Sequence, residues 1–492
     1  MIDQQRAPIL EGIQWYVERD FAPFSTPGHK RGKGVEPGLL ELFGSRLFEV
    51  DIPLGGGVDN THFGNETLEA AEELAAHAWG ADRTFYLLNG SSAGNHAFLL
   101  GMVGPGETVI VARDIHKSLL ISMILTGVRP VYVTPRLHPE LHVGVGVHPD
   151  DIAAALDEHP EAKLVMLVSP SYCGVASDLE AIADVAHERG IPVYVDEAWG
   201  PHFHFHPDLP KSAMDSGVDG AVTSAHKILS SLTQAALLNV RGDYVDAARM
   251  KSAVAMVNTT SPSILILASI DAARRQMALH GTELFGRAIQ LANQARSSLN
   301  QIAGVSVLTA ESLGVAQYDL IKLVIDVHSL GLTGFAVEEM LRNRFHIQPE
   351  MSDLVSIVAL VTIADDDHSI ARLLNAFQTI SDEHFGAHRE TSTALLRSSG
   401  SVINPGEQAM SPREAFFART RTVLLSDAVG EISAELVIPY PPGIPVLAPG
   451  DIIPRDKVEY LRAGSAHGMY LSGPVDPQLN TIRVVDVPAV SS

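Results

Sequence analysis

The chain has 492 residues, a formal net charge of -23, 46% hydrophobic and 19% charged residues, so it can bury a large core and is expected to form about two to four domains. The acidic balance argues against a nucleic-acid or anionic-membrane partner, because no basic patch dominates such a field. Cys173 is the single cysteine, which excludes an intramolecular disulfide and a thiolate metal cluster, and no metal site is expected. The N-terminus lacks a basic-then-apolar leader and no uncharged run is long enough to span a bilayer, so a cytoplasmic setting is expected.

Ile9, Ile13, Tyr16 and Val17 have helical spacing. The loop Phe24 to Gly34 is rich in glycine and cations, a pattern that suits either a solvated turn or an anion contact. Leu54 to Asn60 is a second irregular, glycine-rich stretch. From about Glu66 helices and strands alternate. Leu68, Ala71, Leu74, Ala75 and Ala78 form one helical face, and Thr84 to Leu88 reads as a strand. The strand runs into Asn89-Gly90-Ser91-Ser92-Ala93-Gly94-Asn95-His96, with an apolar helix expected from about Ala97. A strand, a small-residue turn and a helix start collect unsatisfied N–H groups and a positive dipole end, which suits one phosphate. The glycine spacing is neither the dinucleotide fingerprint nor a P-loop.

Further strands are predicted at Glu107 to Ala112, Pro130 to Thr134, Lys163 to Val168, Pro192 to Val195, Ala221 to Thr223 and Ala235 to Val240. Helices are predicted between them, at Asp150 to Glu158 and Asp178 to Arg189 among others. This alternation implies an α/β fold with a mainly parallel sheet covered on both faces. Ligands of such sheets bind beyond the carboxyl ends of the strands, where Asn89, His116, Ser169, Asp196 and Lys227 fall. Cys173, just past a strand, reads as a buried or pocket-edge thiol. Two helices are predicted at Ile264 to Leu279 and Thr282 to Gln301. Strands at Leu320 to Val327 and Val355 to Thr362, with helices at Gly334 to Arg344 and Asp367 to Asp382, make the region beyond them α+β. Residues 386–412 read as a polar boundary loop, and the prolines of Ile438 to Asp451 exclude a central strand or helix. The domain reading is an N-terminal extension or dimer arm over 1–66, a large domain over 67–300, a small α+β domain over 301–390 and a C-terminal domain over 391–492.

Lys227 closes the run Ala221-Val222-Thr223-Ser224-Ala225-His226-Lys227. Burial favours a neutral amine, the form that attacks carbonyls. Alone, such a lysine is usually a strand-end surface residue. Beside a phosphate-suited turn at Ser91 and a strand-end acid at Asp196 it reads differently. A pyridoxal 5'-phosphate site needs an anion nest, a carboxylate that keeps the pyridine nitrogen protonated, and an amine for the aldehyde.

These residues resemble the ornithine/lysine/arginine decarboxylase family of fold-type-I enzymes that use pyridoxal 5'-phosphate. The resemblance is carried by Thr26-Pro27-Gly28-His29-Lys30, Asn89 to Asn95, Asp114-Ile115-His116-Lys117-Ser118, Asp196-Glu197-Ala198-Trp199-Gly200-Pro201-His202, Ser224-Ala225-His226-Lys227, Thr259-Thr260-Ser261-Pro262-Ser263 and Tyr440-Pro441-Pro442-Gly443-Ile444-Pro445, in the family's order. It implies an aspartate-aminotransferase-like large domain with smaller α+β C-terminal domains, in the family's compact form without a receiver-like N-terminal domain. By resemblance Lys227 bonds the cofactor and Asp196 pairs with its ring nitrogen, while His116 stacks on the ring. Ser91, Ser92, Ala93, Ser224 and His226 surround the phosphate, and Ala198 and His202 lie near the cofactor. His226 is an alternative proton carrier. The family's usual Ser-Thr-Ser-Gly turn is Ser91-Ser92-Ala93-Gly94 here, one hydroxyl fewer. Asp51-Ile52-Pro53 lacks the usual Thr-Glu, and Asp451 stands where Glu is common.

The implied activity is that of a lyase: decarboxylation of a basic amino acid (lysine, ornithine or arginine) to the amine that feeds polyamine metabolism. A homodimer or higher homo-oligomer is implied as well. Asp451 and Asp51 are the candidates for the substrate's distal cation. An aminotransferase or aldolase on the same skeleton, and a non-catalytic regulatory protein of the same fold, are the alternatives.

Overall fold

Short apolar runs bounded by Gly, Pro and Asp place the strands, and amphipathic stretches between them place the helices. The computed structural model describes residues 2–55, 58, 66–138, 143–386, 406–439, 443–466 and 468–487. The polar stretch 387–405, the segment 59–65 and Tyr440, Pro441 and Pro442 of the proline-rich motif lie outside the described residues. In chain order the first elements are α1 (Pro8–Glu18), α2 (Pro37–Val50), α3 (Glu66–Trp79), β1 (Arg83–Leu87), α4 (Gly90–Met102), β2 (Thr108–Ala112), α5 (Lys117–Thr126) and β3 (Arg129–Val133). Then come α6 (Pro149–Glu158), β4 (Val165–Val168), α7 (Leu179–His187), β5 (Val193–Asp196), β6 (Gly220–Thr223), α8 (Ala225–Ile228), β7 (Ala236–Val240), α9 (Ala247–Val257) and α10 (Ile264–Leu299). The remainder holds β8 (Ser306–Val307), α11 (Ala310–Leu313), β9 (Lys322–Asp326), α12 (Gly334–Phe345), β10 (Met351–Ser352), β11 (Ser356–Leu360) and α13 (Asp367–His384), followed by helices Pro412–Phe417 and Arg455–Ala466 and four short strands.

The main sheet has the strand order β1-β7-β6-β5-β4-β2-β3. β2 runs parallel to β3 and β4, whereas β7 is antiparallel to β1 and β6. Its strands are buried on both faces, which is why they read as unbroken apolar runs and not as alternations. The fold is α/β with a largely parallel central sheet.

Two compact units make up the chain. The first comprises Met1–Met102, Asp196–Pro207 and Lys211–Leu284. In it Gly94 lets α4 lie directly against β6, since an added Cβ would come within 2.4 Å of Val222 Cγ2. The second comprises Val103–Val195, Asp208–Pro210 and Phe285–Ser492. It holds β9 antiparallel to β8 and β11, with β10 beyond β11, over a core of Leu323, Ile325, Ile357, Val337, Leu341 and Phe377. A separate cluster, including Val437, Val446, Leu447, Leu461 and Val484, fills its C-terminal part.

Three expectations change. The helix expected from Ala97 begins at Gly90, so the small-residue turn is its first turn. The two helices predicted on either side of His280 and Gly281 are one 36-residue helix, α10. Gly281 is a packing position, where a Cβ would approach Phe205 Cβ to 2.8 Å, and not a break. Finally, the N-terminal stretch holds α2, a helix that was not predicted; it is interrupted at Gly44, and only Phe48 of its residues is buried.

Candidate active site

The first unit gathers most of the predicted residues around the ends of β5, β6 and α4. The α4 amides of Ser91 and Ser92 have no carbonyl within the helix to donate to, as at any helix start. Ser91 Oγ lies 2.6 Å from Ser224 Oγ, the residue that follows β6, and both side chains are buried. Two hydroxyls and a positive helix end make a nest suited to a phosphate. Ala93 is buried in the same turn, with Ser92 half-buried beside it.

Asp196 ends β5 and is 4% exposed. Its Oδ2 accepts from Asn95 Nδ2 at 2.8 Å and its Oδ1 from the Ala198 amide at 3.1 Å. Burial pushes its pKa above the usual carboxylate range, while Asn95, the Lys227 charge and the Ala198 amide pull it back. A carboxylate held this way fits a cationic ring N–H, which would offset the cost of burying its charge. Its neighbour Glu197 faces elsewhere: it accepts from the Ala213 amide at 2.7 Å, is buried, and is raised well above the usual range by desolvation. The two adjacent acids thus have separate sets of partners. His202 is fully buried, and Trp79 Nε1 donates to Pro201 O at 3.1 Å, which anchors the loop.

Lys227 sits in α8, whose N-cap is Ser224. Its Nζ lies 3.9 Å from the centroid of the Trp199 ring. Such a contact holds an ammonium over an aromatic face. His226 Nδ1 donates to Ala235 O at 2.9 Å, which leaves Nε2 as the acceptor nitrogen. Burial lowers the His226 pKa, and the Lys227 charge lowers it further, so the ring is neutral at neutral pH. The residues present therefore fit pyridoxal 5'-phosphate: a hydroxyl-lined helix start, a buried acid and an adjacent amine.

Asn95 and Trp199 were not among the predicted site residues. Asn95 stands four residues after Ser91, hence on the same face of α4. That signal was hidden because the helix was expected to start later.

His116 belongs to the second unit. It caps α5, with Nδ1 accepting from the Ser118 amide at 3.2 Å. Asp451, a candidate for the substrate's distal cation, is committed elsewhere: its Oδ2 pairs with Arg113 Nη2 at 2.9 Å, and each side chain is 1% exposed. This corrects the expectation, since a carboxylate already paired and sealed from solvent has no face left for a ligand. Asp51 pairs with His29 Nε2 at 3.1 Å. In the Phe24 to Gly34 loop, Arg31 pairs with Asp20 at 2.9 Å and Lys30 donates to Ser25 O. Two of its cations are thus used internally. Cys173 is half-buried, and desolvation pushes its thiol up to about 12, which disfavours the thiolate.

Lys457, also 1% exposed, donates to Val446 O at 2.6 Å. Its pKa falls from 10.5 to about 7, with burial the main cause, Arg113 adding to it, and Asp451 and Asp456 opposing. Between these two values the unfolded chain binds a proton that the folded chain does not, so stability rises with pH there. Relative to Lys457→Met, the wild-type chain is expected to gain about 1.4 kcal/mol per pH unit. Urea denaturation from pH 7.5 to 9.5 measures the slope, and a flat difference would show the amine to be charged when buried.

The central sheet, the nest and the strand-end acid with its lysine define a fold-type-I enzyme that uses pyridoxal 5'-phosphate. Residues 7–369 match the family model "Orn/Lys/Arg decarboxylase, major domain", and residues 397–473 match "Orn/Lys/Arg decarboxylase, C-terminal domain". An arginine decarboxylase of Halalkalibacterium halodurans is 39% identical over 99% of both chains. One from Bacillus subtilis is 38% identical over 98% of this chain and 99% of its own. The solved lysine decarboxylase A from Pseudomonas aeruginosa superposes with a TM-score of 0.84 at 23% identity, covering 98% of this chain and 80% of that one. The chain belongs to the Orn/Lys/Arg decarboxylase family. It is a pyridoxal-phosphate-dependent amino-acid decarboxylase acting on a basic amino acid.

Proposed function

We propose that the substrate is L-arginine, released as its decarboxylated amine and carbon dioxide. The supporting observation is the similarity at 36–39% identity to several arginine decarboxylases, three of which match over at least 98% of this chain. When bound, the cofactor supplies an electron sink for the pair released as the Cα–carboxylate bond breaks.

The chain's own residues do the rest. Lys227 Nζ would hold the cofactor's aldehyde carbon, and the same nitrogen would carry the proton for Cα once carbon dioxide has left. Asp196 keeps the proton on the ring nitrogen, and Asn95 holds the carboxylate in place for that task. Ser91, Ser92, Ala93 and Ser224 bind the phosphate, with His226 beside them as hydrogen-bond partner or second proton carrier. Ala198 and His202 flank the cofactor, and His116 serves the ring face. Trp199 rests against the Lys227 amine.

A homodimer in the cytoplasm, supplying polyamine metabolism, completes the reading. Its support is the apolar N-terminal surface: Phe24 is fully exposed, Leu42 74% and Phe43 55% exposed. Among the described residues no helix is long and apolar enough to cross a membrane.

The test is a panel of arginine, lysine and ornithine with the cofactor-loaded enzyme, scored by carbon dioxide and amine product. Arginine is expected to lead in kcat/KM by at least about tenfold, or about 1.4 kcal/mol of transition-state binding. A lead by lysine or ornithine would overturn the assignment.

A further inference from the structure

β2 ends at Ala112, Arg113 follows, and His116 stands three residues further on at the start of α5. The stretch from Arg113 to Lys117 is bound to a distant part of the chain. Arg113 Nη1 donates to Pro445 O at 2.9 Å, and Nη2 to Asp451 Oδ2 at 2.9 Å and to Val446 O at 3.4 Å. Asp451 Oδ2 also accepts from the Ala448 amide at 3.0 Å. The amide of Lys117, directly after His116, donates to Gly443 O at 3.1 Å. Lys457 Nζ holds Val446 O from the other side. Residues 443–451 are therefore fastened at both ends of the segment that carries His116.

Hydrogen bonding commits Asp451 to Arg113, and Lys457 donates to the backbone beside them. Arg113 and Lys457 are both buried against a single paired carboxylate, Asp451. With Lys457 present as an amine, Arg113 and Asp451 form a one-to-one pair. Asp114, whose Oδ1 meets no donor among the described residues, is pushed up to about 7 by burial and makes no ion pair with either cation. A sealed ion pair is a poor device for stability alone, since well-packed apolar residues often serve as well, but it fixes geometry through directional bonds.

We propose that Arg113 and Asp451 are positioning residues for the decarboxylation: their pair locks segment 443–451 onto the Arg113–Lys117 turn and so sets the orientation of His116. This rests on the reading of His116 as a residue of the cofactor ring. The pair touches neither substrate nor cofactor in this account and acts through His116.

The experiment compares cofactor-loaded wild type, Asp451→Asn, Asp451→Glu, the double variant Arg113→Met/Asp451→Met, and His116→Ala. The readouts are kcat and KM, the visible circular dichroism of bound cofactor, its dissociation constant, and the thermal midpoint. Asp451→Asn is expected to lower kcat by on the order of 100-fold with little change in KM, as misplacement by about 1 Å does. It also weakens the dichroism and cofactor retention. Asp451→Glu, which restores the charge, should bring these back to within about threefold. The double apolar variant should regain thermal stability without regaining the dichroism or kcat.

If the apolar variant recovers all readouts, or Asp451→Asn folds with wild-type dichroism and kcat, the pair is only structural and the proposal falls. Should Asp451→Asn not fold, the double variant Arg113→Met/Asp451→Met carries the test: a retained thermal midpoint with lost dichroism and kcat supports the proposal, and recovery of all readouts overturns it. If His116→Ala is itself without effect, it is the reading of His116 that fails, whatever Asp451→Asn does.

Discussion

Lys227→Ala is expected to lower turnover by about 10 000-fold, the combined loss of the cofactor bond and of the proton donor to Cα. The side chain occupies one position in a short helix, and its amine lies over the Trp199 ring. Alanine suits a helix, so the thermal midpoint should move by only a few degrees, on the order of 1 kcal/mol. The loss is thus chemical and not a failure to fold. Single-turnover kinetics and the visible absorbance of the cofactor check it together. Turnover within tenfold of wild type, with the cofactor absorbance intact, would remove Lys227 from the site.

Asp196→Asn comes second, with an expected fall in kcat of about 1000-fold. Asparagine keeps the shape and offers one oxygen where the carboxylate offers two. Asn95 and the Ala198 amide both point donors at this side chain, so the new NH2 group must face one of them. The larger part of the loss is the missing negative charge, without which the ring nitrogen sheds its proton. Stability gives the control. Burial already pushes this carboxyl towards its neutral form, so removing the charge offsets part of the cost of the misplaced NH2 group, and the cofactor-free protein should lose no more than about 2 kcal/mol at neutral pH. A stable variant with near-normal kcat would show that Asp196 is an architectural acid like Glu197.

Much of this site was legible in the sequence because it is local. Ser224 to Lys227 and the Asp196 strand end each lie within a few residues of a buried strand, and strand ends in an α/β sheet mark the ligand edge. The turn at Gly90 to Asn95 reads in the sequence as a loop before a helix, whereas the helix begins at Gly90. Glycine, serine and asparagine are poor helix formers, so the helix start looked like a loop. Close packing against β6 overrides that preference, since Gly94 admits a contact that a Cβ would forbid. For the same reason Gly281 does not break α10.

The residues that sequence reasoning missed or misassigned depend on partners far along the chain. Asn95 meets Asp196 across 101 positions, and Arg113 meets Asp451 across 338. Nothing in the neighbourhood of Asp451 distinguishes a substrate-binding carboxylate from one neutralised by a buried arginine. Strand-helix alternation determined the α/β class, the Ser91 turn with Asp196 and Lys227 pointed to the cofactor, and the motifs in order carried the resemblance to the family. Only the tertiary structure decided which acids are spent on architecture, which helix starts at the phosphate nest, and what fastens the His116 turn. The reason is physical: secondary structure and motifs are set by neighbours in sequence, whereas the state of a buried charge is set by whatever the fold brings within about 4 Å of it.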